Sequence, residues 1–173
     1  MGFFRDEDHG YKALTEAVFD FSREQPVVTV GIHERQGAAE HGKKKLIDIA
    51  NINEFGTDDG HVPARSFIRA WFDEAEPKLR TELIGLMRSV LAGKKTKAEI
   101  LNILGQAAVG QVQERISNQI PPPNAEETIK RKGSSTPLID SGALRSAVTY
   151  AVDGLGKHEG DTTPAGDEEG VAE

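Results

Sequence analysis

The residues best suited to chemistry lie together in one turn. Asp58, Asp59 and His61 follow the glycine that ends a short apolar segment. Carboxylates and an imidazole could hold a divalent metal and activate water, so a metal-dependent hydrolase or nuclease is one interpretation. However, the turn lacks the alternating oxygen ligands and the final glutamate of a calcium loop. Asp-Asp-Gly is also ordinary turn composition, because these residues tolerate the backbone angles of turns.

Other catalytic patterns are incomplete. His33-Glu34 does not begin an HExxH motif, because Gly37 occupies the position of the second histidine. A phosphate-binding loop before Lys94 would need a glycine where Arg88 lies. No serine has a GxSxG frame, and the chain contains no cysteine, which excludes thiolate nucleophiles and disulfides. The sequence therefore predicts a protein that is not an enzyme and has no cofactor or metal.

Three small basic clusters leave a nucleic-acid-binding protein of the cytoplasm as a second alternative. They comprise residues 43–45, residues 94–97, and Lys130, Arg131 and Lys132. Each could contact phosphates, but none is interleaved with the aromatic side chains that stack on bases. We therefore expect solvated surface loops. The third cluster is the most suggestive, since we expect it on an exposed arm.

The net charge of −7 is concentrated at the C-terminus. From Asp153 onward seven acidic residues oppose Lys157 alone, so this stretch carries −6 and the rest of the chain about −1. The stretch is rich in glycine and poor in bulky apolar residues, which predicts a disordered acidic tail over 153–173. It could instead become ordered on a basic partner surface. The apolar runs are too short to span a membrane, and the start of the chain lacks signal-peptide features.

The N-terminal half shows alternating helix and strand patterns. Tyr11, Leu14, Val18 and Phe21 recur at helical spacing. A β-branched strand is expected over 27–33, followed by a mobile loop over 35–45. A short helix should then place Leu46, Ile49 and Asn53 on one side, with Gly56 as its left-handed C-terminal cap. Ser66 should cap a longer helix with an inward face that Pro77 interrupts; that face comprises Phe67, Trp71, Leu79, Leu83, Leu86 and Val90.

The C-terminal half begins with a second long helix. Thr96 and Glu99 have the spacing of a capping box, and the helix should face inward through Ile100, Ile103, Leu104, Ala107, Val112 and Ile116. Pro121, Pro122 and Pro123 force an extended path and begin an exposed arm over about 119–136. Asp140 or Ser141 should cap a short helical turn, and Val148, Tyr150 and Val152 alternate as a strand.

Together these elements predict an α+β fold. We expect a small antiparallel sheet packed against two or three longer helices, with an extended Pro-rich arm and a disordered acidic C-terminal tail. Residues 1–152 should form a single domain, and residues 153–173 the tail.

Two stretches carry a family resemblance. In the first, Asn53, Glu54, Gly56 and Thr57 precede Pro63, Arg65 and Phe67; in the second, Pro137, Leu138, Ile139, Asp140, Gly142 and Leu144 lead to the last strand. Together they resemble the neck, tail-completion and minor tail proteins of tailed bacteriophages, a family with Asn-Glu-x-Gly-Thr, Pro-x-Arg-x-Phe and Pro-Leu-Ile-Asp-Thr-Gly-x-Leu segments. Ser141 replaces the threonine and keeps a capping hydroxyl. The resemblance covers about 27–152.

The resemblance implies a structural virion protein. It implies a homo-oligomeric ring, six- or twelve-fold, at the head-tail junction, where it joins the portal or an adaptor to the tail tube or tail terminator. Genomic DNA would pass through the channel without sequence-specific binding, and a near-neutral to acidic lumen would avoid gripping its phosphates. The ring would be assembled in the host cytoplasm and would have no membrane contact.

A ring needs two complementary surfaces on each subunit. We expect Arg65 and Arg69, which lie four residues apart, to pair with carboxylates such as those of Asp58 and Asp59, in the same or the next subunit. The arm, with Pro121, Pro122, Pro123, Lys130, Arg131 and Lys132, could lie over a neighbouring subunit. The remaining motif residues should be structural: Asn53, Glu54, Gly56, Pro63, Phe67, Trp71, Asp140, Ser141, Gly142 and Leu144.

Overall fold

The computed structural model describes residues 26–41 and 44–155, together with residues 12, 15, 16 and 19. Within them the chain has an α+β fold, as the sequence predicts. Small antiparallel strand pairs pack with helices, two of which are much longer than the rest. The predicted helix through Tyr11, Leu14, Val18 and Phe21 lies outside the described residues, as do residues 156–173 of the predicted tail. The sequence predicts that the tail begins at Asp153, but Asp153 instead ends the last strand, where it pairs with Val27.

The main strand pair joins the two ends of the described domain. Strand β1 (Val27–Gly31) runs antiparallel to β4 (Thr149–Asp153), and Val30 pairs with Tyr150. Both predicted strands are confirmed, although β1 ends two residues early and Val148 lies just before β4 as a buried core residue. Their β-branched and aromatic side chains suit a half-buried pleated surface.

The helices and a short ribbon lie between these strands. Helix α1 (Glu34–Gly37) leads into β2 (Glu40–His41), which pairs antiparallel with β3 (Lys44–Lys45). The further helices are α2 (Leu46–Phe55), α3 (Arg69–Leu91), α4 (Lys97–Ser117), α5 (Glu126–Lys132) and α6 (Ala143–Ser146). The segment over 35–45, which the sequence predicts as a mobile loop, instead contains a helical turn and a strand pair; residues 42 and 43 are not described.

The core is built around α4. Its buried face comprises Ile100, Leu101, Gly105, Ala108, Val112 and Ile116. Helix α3, β1 and β4 all pack against this helix, and Phe67 is fully buried beside them. The aromatic ring of Tyr150 lies directly over Gly105, which has no side chain to keep it away. Its hydroxyl donates to Oδ1 of Asn102 at 2.9 Å, so β4 is attached to α4 by packing and by a hydrogen bond.

Three details of the long helices differ from the sequence-based expectation. The capping box of Thr96 and Glu99 is present at the start of α4, but Ile103 and Ala107 are exposed and not inward. Helix α3 continues through Pro77 without a fresh start. Pro77 is exposed, and Thr81 donates its hydroxyl proton to the Pro77 carbonyl at 3.0 Å. Within α3 only Trp71 is buried, and the predicted inward residues that follow it, Leu79, Leu83, Leu86 and Val90, are half-buried. Phe67, which precedes the helix, is fully buried as predicted.

The segment over 119–136 is not a free extended arm. Pro121, Pro122 and Pro123 are exposed and follow an irregular path, but residues 126–132 form helix α5. The charges of α5 stabilise the helix through its dipole, because acidic residues lie in the first turn and Lys130, Arg131 and Lys132 lie in the last. Gly133 ends the helix in the left-handed conformation. The polar run therefore contains a helix that the proline pattern did not indicate.

Candidate functional site

The site begins with a buried carboxylate at the end of α2. Glu54 is only 7% exposed, and its two oxygens accept four hydrogen bonds from the chain that enters α3. Oε2 accepts from the backbone N–H groups of Phe67 at 2.8 Å and Ile68 at 3.1 Å. Oε1 accepts from the N–H of Arg69 at 3.0 Å and from the hydroxyl of Ser66 at 2.5 Å. Glu54 is thus the main cap of α3, although it lies twelve residues before Ser66, the first of the residues that donate to it.

Ionisation of Glu54 follows from this geometry. Burial, the largest single influence, raises the pKa of Glu54, but the hydrogen bonds from Ser66, Ile68, Phe67 and Arg69 together outweigh it. The pKa therefore lies below its ordinary value of 4.5. The predicted cap, Ser66, has a smaller role: its hydroxyl accepts from the N–H of Ala70 at 3.1 Å while it donates to Glu54.

The turn after α2 is closed by its own hydrogen bonds. Gly56 ends α2 as predicted and has a positive φ of 80°, but its ψ of −173° differs from the expected left-handed helical conformation. A Cβ there would lie 2.9 Å from the backbone nitrogen of Ala64. Thr57 and Val62 bond each other: the N–H of Thr57 donates to the Val62 carbonyl at 3.0 Å, and the N–H of Val62 donates to Oγ1 of Thr57 at 2.9 Å. Only glycine fits position 56 without strain.

The acidic pair in the turn is exposed, and one of its members is committed to the turn. Oδ1 of Asp59 accepts the backbone N–H of His61 at 2.9 Å. Hydrogen bonds from the Thr57 hydroxyl and the His61 backbone lower the pKa of Asp59. In the described part of the chain, no group of three or more His, Asp or Glu side chains is arranged to hold a metal ion. The geometry of this turn is that of an Asx-type turn.

Arg65 connects this turn to the segment at 121–125, which we call the proline segment. Its side chain is only 7% exposed; Nε donates to the Pro122 carbonyl at 2.8 Å and Nη2 to the Pro123 carbonyl at 3.2 Å. The expectation that Arg65 is free to pair with carboxylates is therefore wrong within the subunit, because neutral carbonyls hold it. Burial lowers the pKa of its guanidinium.

Arg69 remains exposed, as expected for an interface residue, but it is not paired with Asp58 or Asp59. Its guanidinium carbon lies 5.4 Å from the centre of the Phe55 ring, a cation-π contact. Phe55 is 63% exposed and Phe72 52% exposed. Since Phe72 follows Arg69 by three residues on α3, these side chains form one aromatic surface patch, which we define as Phe55, Arg69 and Phe72.

The second motif folds against the first. Leu138 and Leu144 enter the core. Oγ of Ser141 accepts the N–H of Ala143 at 3.2 Å, but the N-cap of α6 is Gly142 and no side chain caps this helix, so the prediction that Ser141 caps it is wrong. Gly142 precedes α6 with a φ of 83°. Asp140 does not cap the helix; its carboxylate is exposed and lies 3.9 Å from Nε2 of His41.

The two motifs, the proline segment and α5 enclose a cleft of about 530 Å³, which we call the basic cleft. Its charged lining comprises Arg65, Arg131, Lys132 and Asp140, with His41 and His61 at its walls. Nζ of Lys132 donates to the Pro137 carbonyl at 2.9 Å. The pKa of Lys132 is lowered, first by burial, with Asp140 opposing that shift and Arg65 and Arg131 adding to it.

Several residues of this region were missed by sequence reasoning. Arg115 of α4 reaches back to donate to Oε2 of Glu74 at 2.7 Å and to the Ser66 carbonyl at 3.4 Å. Nδ2 of Asn124 is buried in the cleft lining without a hydrogen-bond partner among the described residues. A signal for Glu54 did exist: Leu46, Ala50 and Glu54 recur every four residues, so the glutamate lies on the buried stripe of α2. The predicted stripe of Leu46, Ile49 and Asn53 is shifted from it, since Ile49 and Asn53 are only half-buried.

Comparisons with protein-family models, curated proteins and solved structures find no match to this chain. Among the residues that the structure describes, no helix has the length and apolar character needed to cross a membrane.

Proposed function

We propose that this chain is a structural protein of the tailed-bacteriophage head-tail junction. In this role it forms a homo-oligomeric ring that joins the portal or an adaptor to the tail and lets the genome pass. The proposal includes localisation in the virion after assembly in the host cytoplasm. It rests on the resemblance of two sequence motifs to neck, tail-completion and minor tail proteins.

The observation that carries the proposal is the physical connection of those motifs. About seventy residues separate them in sequence, yet both line the basic cleft and both contribute to the core beside it. Their characteristic residues act as folding elements: Glu54 caps α3, Gly56 closes the turn, and Phe67 is fully buried. A scaffold shared by such a family would retain residues of this kind, because they fix the angle between two helices and the position of the intervening turn.

Exposed side chains provide candidates for the interfaces of a ring subunit. The aromatic patch combines two exposed phenylalanine side chains with an arginine, residue types that are enriched at protein interfaces. The exposed acidic turn at Asp58 and Asp59 adjoins it in sequence. The far ends of α3 and α4 expose further apolar side chains, at Ile84 and Ile103. A head-to-tail ring requires two different complementary surfaces per subunit, and these provide candidates for both.

The first experiment is to measure the assembly state of the full chain by native mass spectrometry and negative-stain imaging. We expect closed rings with a central hole wide enough for duplex DNA, either alone or after addition of portal or tube proteins. The variant Phe72→Ser should shift the population toward monomer. Its circular dichroism spectrum should be unchanged, since the Phe72 side chain is exposed in the subunit. Thr81→Ser, also exposed and on the same helix, is a matched control and should leave the assembly unchanged.

The proposal predicts a different outcome from its alternatives. A chain that stays monomeric with every template, and that retains DNA in a salt-sensitive manner through its lysine clusters, would support the nucleic-acid-binding interpretation and refute the ring. A divalent-metal affinity that disappears in Asp58→Asn or Asp59→Asn would support the hydrolase interpretation.

A further inference from the structure

The basic cleft contains more positive charge than its own acids neutralise. Arg65, Arg131 and Lys132 oppose Asp140 as its only acidic lining residue, a formal excess of two positive charges. No salt bridge within 4.0 Å reaches any of the three cations in the described part of the chain. Arg65 is buried, Lys132 is half-buried and Arg131 is exposed at the cleft. The buried Arg65, which donates only to neutral carbonyls, retains much of its desolvation cost, and an anion in the cleft would reduce that cost.

Unused hydrogen-bond donors lie in the same cleft. A guanidinium has five N–H donors, and the carbonyls of Pro122 and Pro123 engage Arg65 through Nε and Nη2. Nδ2 of Asn124 is buried with no partner among the described residues. Buried donors in proteins are nearly always bonded, so an unpartnered amide beside a buried guanidinium indicates a place for an acceptor. A carboxylate fits both requirements, because it carries negative charge and only accepts hydrogen bonds.

We propose that the basic cleft binds a carboxylate-rich peptide, and that its occupant is the acidic stretch Asp161–Glu173 of a copy of this chain. That stretch contains five carboxylates and no basic residue, with three of them consecutive at Asp167, Glu168 and Glu169. Its charge is complementary to the cleft. The inference does not depend on the proposed ring, since the chain itself supplies both the cleft and the peptide.

The length of the connection permits this contact. Asp167 follows Leu155, the last described residue, by twelve positions. An extended chain covers about 3.4 Å per residue, so this separation spans up to about 40 Å. A domain of this size has a diameter on the order of 35 Å, so the stretch reaches either the cleft of its own subunit or that of an adjacent one. Binding within one subunit and exchange between subunits are therefore both sterically allowed, and the experiment separates them.

The absence of cysteine from the natural chain makes disulfide mapping unambiguous. Thr128 lines the cleft and Val171 lies within the acidic stretch, so Thr128→Cys with Val171→Cys tests the contact in the full chain. The control pairs Val171→Cys with Ala92→Cys, an exposed position beside the lysines that follow α3. This control measures random encounter with a basic surface outside the cleft. Circular dichroism checks that all variants are folded.

We expect the cleft pair to form its disulfide about tenfold faster than the control pair at low ionic strength. That advantage should fall several-fold at about 0.5 M salt, because screening weakens exposed charge attraction. The rate advantage of the cleft pair should disappear when the stretch is neutralised by Asp167→Asn, Glu168→Gln and Glu169→Gln. It should also disappear when the cleft carries Arg131→Gln and Lys132→Gln. When chains with one cysteine each are mixed, a cross-linked dimer indicates exchange between subunits, whereas a cross-linked monomer of the double variant indicates binding within one.

Equal rates for the cleft and control pairs would overturn the proposal, as would a cleft advantage that survives neutralisation of the acidic stretch. Phosphate tests the remaining source of negative charge. Phosphate and chloride are compared at equal ionic strength for their effect on the rate of disulfide formation at Thr128→Cys. If phosphate slows that reaction more than chloride does, and the acidic stretch shows no preference for the cleft over the control position, the cleft binds small anions and the proposed occupant is wrong.

Discussion

The capping of α3 by Glu54 can be tested with the substitution Glu54→Gln, which preserves shape and removes the charge. Each carboxylate oxygen accepts two hydrogen bonds in the folded chain, from Phe67 and Ile68 on one side and from Ser66 and Arg69 on the other. An amide has one accepting oxygen, so its NH₂ group faces either Phe67 and Ile68 or Ser66 and Arg69. The Ser66 hydroxyl can turn to accept from the NH₂ group, so the favoured orientation leaves only the N–H of Arg69 without its acceptor.

The magnitude follows from this lost bond and from the loss of charge at the bonds that remain. A hydrogen bond to a charged group contributes about 1.5–3 kcal/mol and one to a neutral group about 0.5–1.5 kcal/mol, so we expect Glu54→Gln to lower the free energy of unfolding by roughly 4 kcal/mol. This is a large part of the 5–15 kcal/mol that is typical of a small domain. With a urea dependence of about 2 kcal/mol per molar, the midpoint should fall by about 2 M.

Urea titration followed by circular dichroism and by the fluorescence of Trp71, the only tryptophan, measures this loss. Glu74→Gln is the control: Glu74 pairs with Arg115 but is 68% exposed, so its substitution should cost less than about 1 kcal/mol. The reasoning is refuted if the two variants lose equal stability. Glu99→Gln, which affects the exposed cap of α4, should also cost less than Glu54→Gln because water can replace its bonds.

Acid should remove the same contribution. The folded-state pKa of Glu54 lies below 4.5, so the unfolded chain binds the proton more readily. The stabilisation by ionised Glu54 is fully present above pH 4.5 and is lost as the pH falls through the lower folded-state pKa. The difference in unfolding free energy between the natural chain and Glu54→Gln should therefore be constant from pH 7 to about pH 5 and shrink below pH 4.5. A difference that stays constant down to pH 3.5 would contradict this assignment.

Three further substitutions test packing and backbone geometry. Gly105→Ala should lower the free energy of unfolding by about 1–3 kcal/mol, because a Cβ would lie 2.2 Å from the Tyr150 ring. Thermal unfolding measures this loss. The control Gly110→Ala, with open space around it, should instead raise the free energy of unfolding by about 0.5–1 kcal/mol. Gly56→Ala should cost about 3 kcal/mol in urea titration because of its positive φ and the backbone nearby, and a neutral effect would refute the strain argument. Arg65→Met should release the proline segment and accelerate tryptic cleavage of α5 roughly tenfold or more, while the helix content stays nearly unchanged. An unchanged cleavage rate would show that the two bonds from Arg65 to the Pro122 and Pro123 carbonyls do not hold the proline segment in place.

Local signals in the sequence were sufficient for much of the fold. The capping box of Thr96 and Glu99 involves a spacing of three residues, so its contact can be predicted from the sequence alone. The glycine at position 56 has the same local character, since a helix end with a positive φ requires it. The β-branched run that forms β1 and the alternation in β4 likewise indicated strands before their pairing was known.

Only the tertiary structure determined the parts of the site that join distant segments. Glu54 caps α3 because α2 packs at one particular angle, and no periodicity specifies which buried carboxylate will meet which helix end. Arg65 binds the proline segment, fifty-seven residues away, so a side chain expected at the surface is buried instead. Hydrophobic and capping patterns report on neighbours within one or two turns, whereas the basic cleft results from long-range packing that brings both motifs and α5 together.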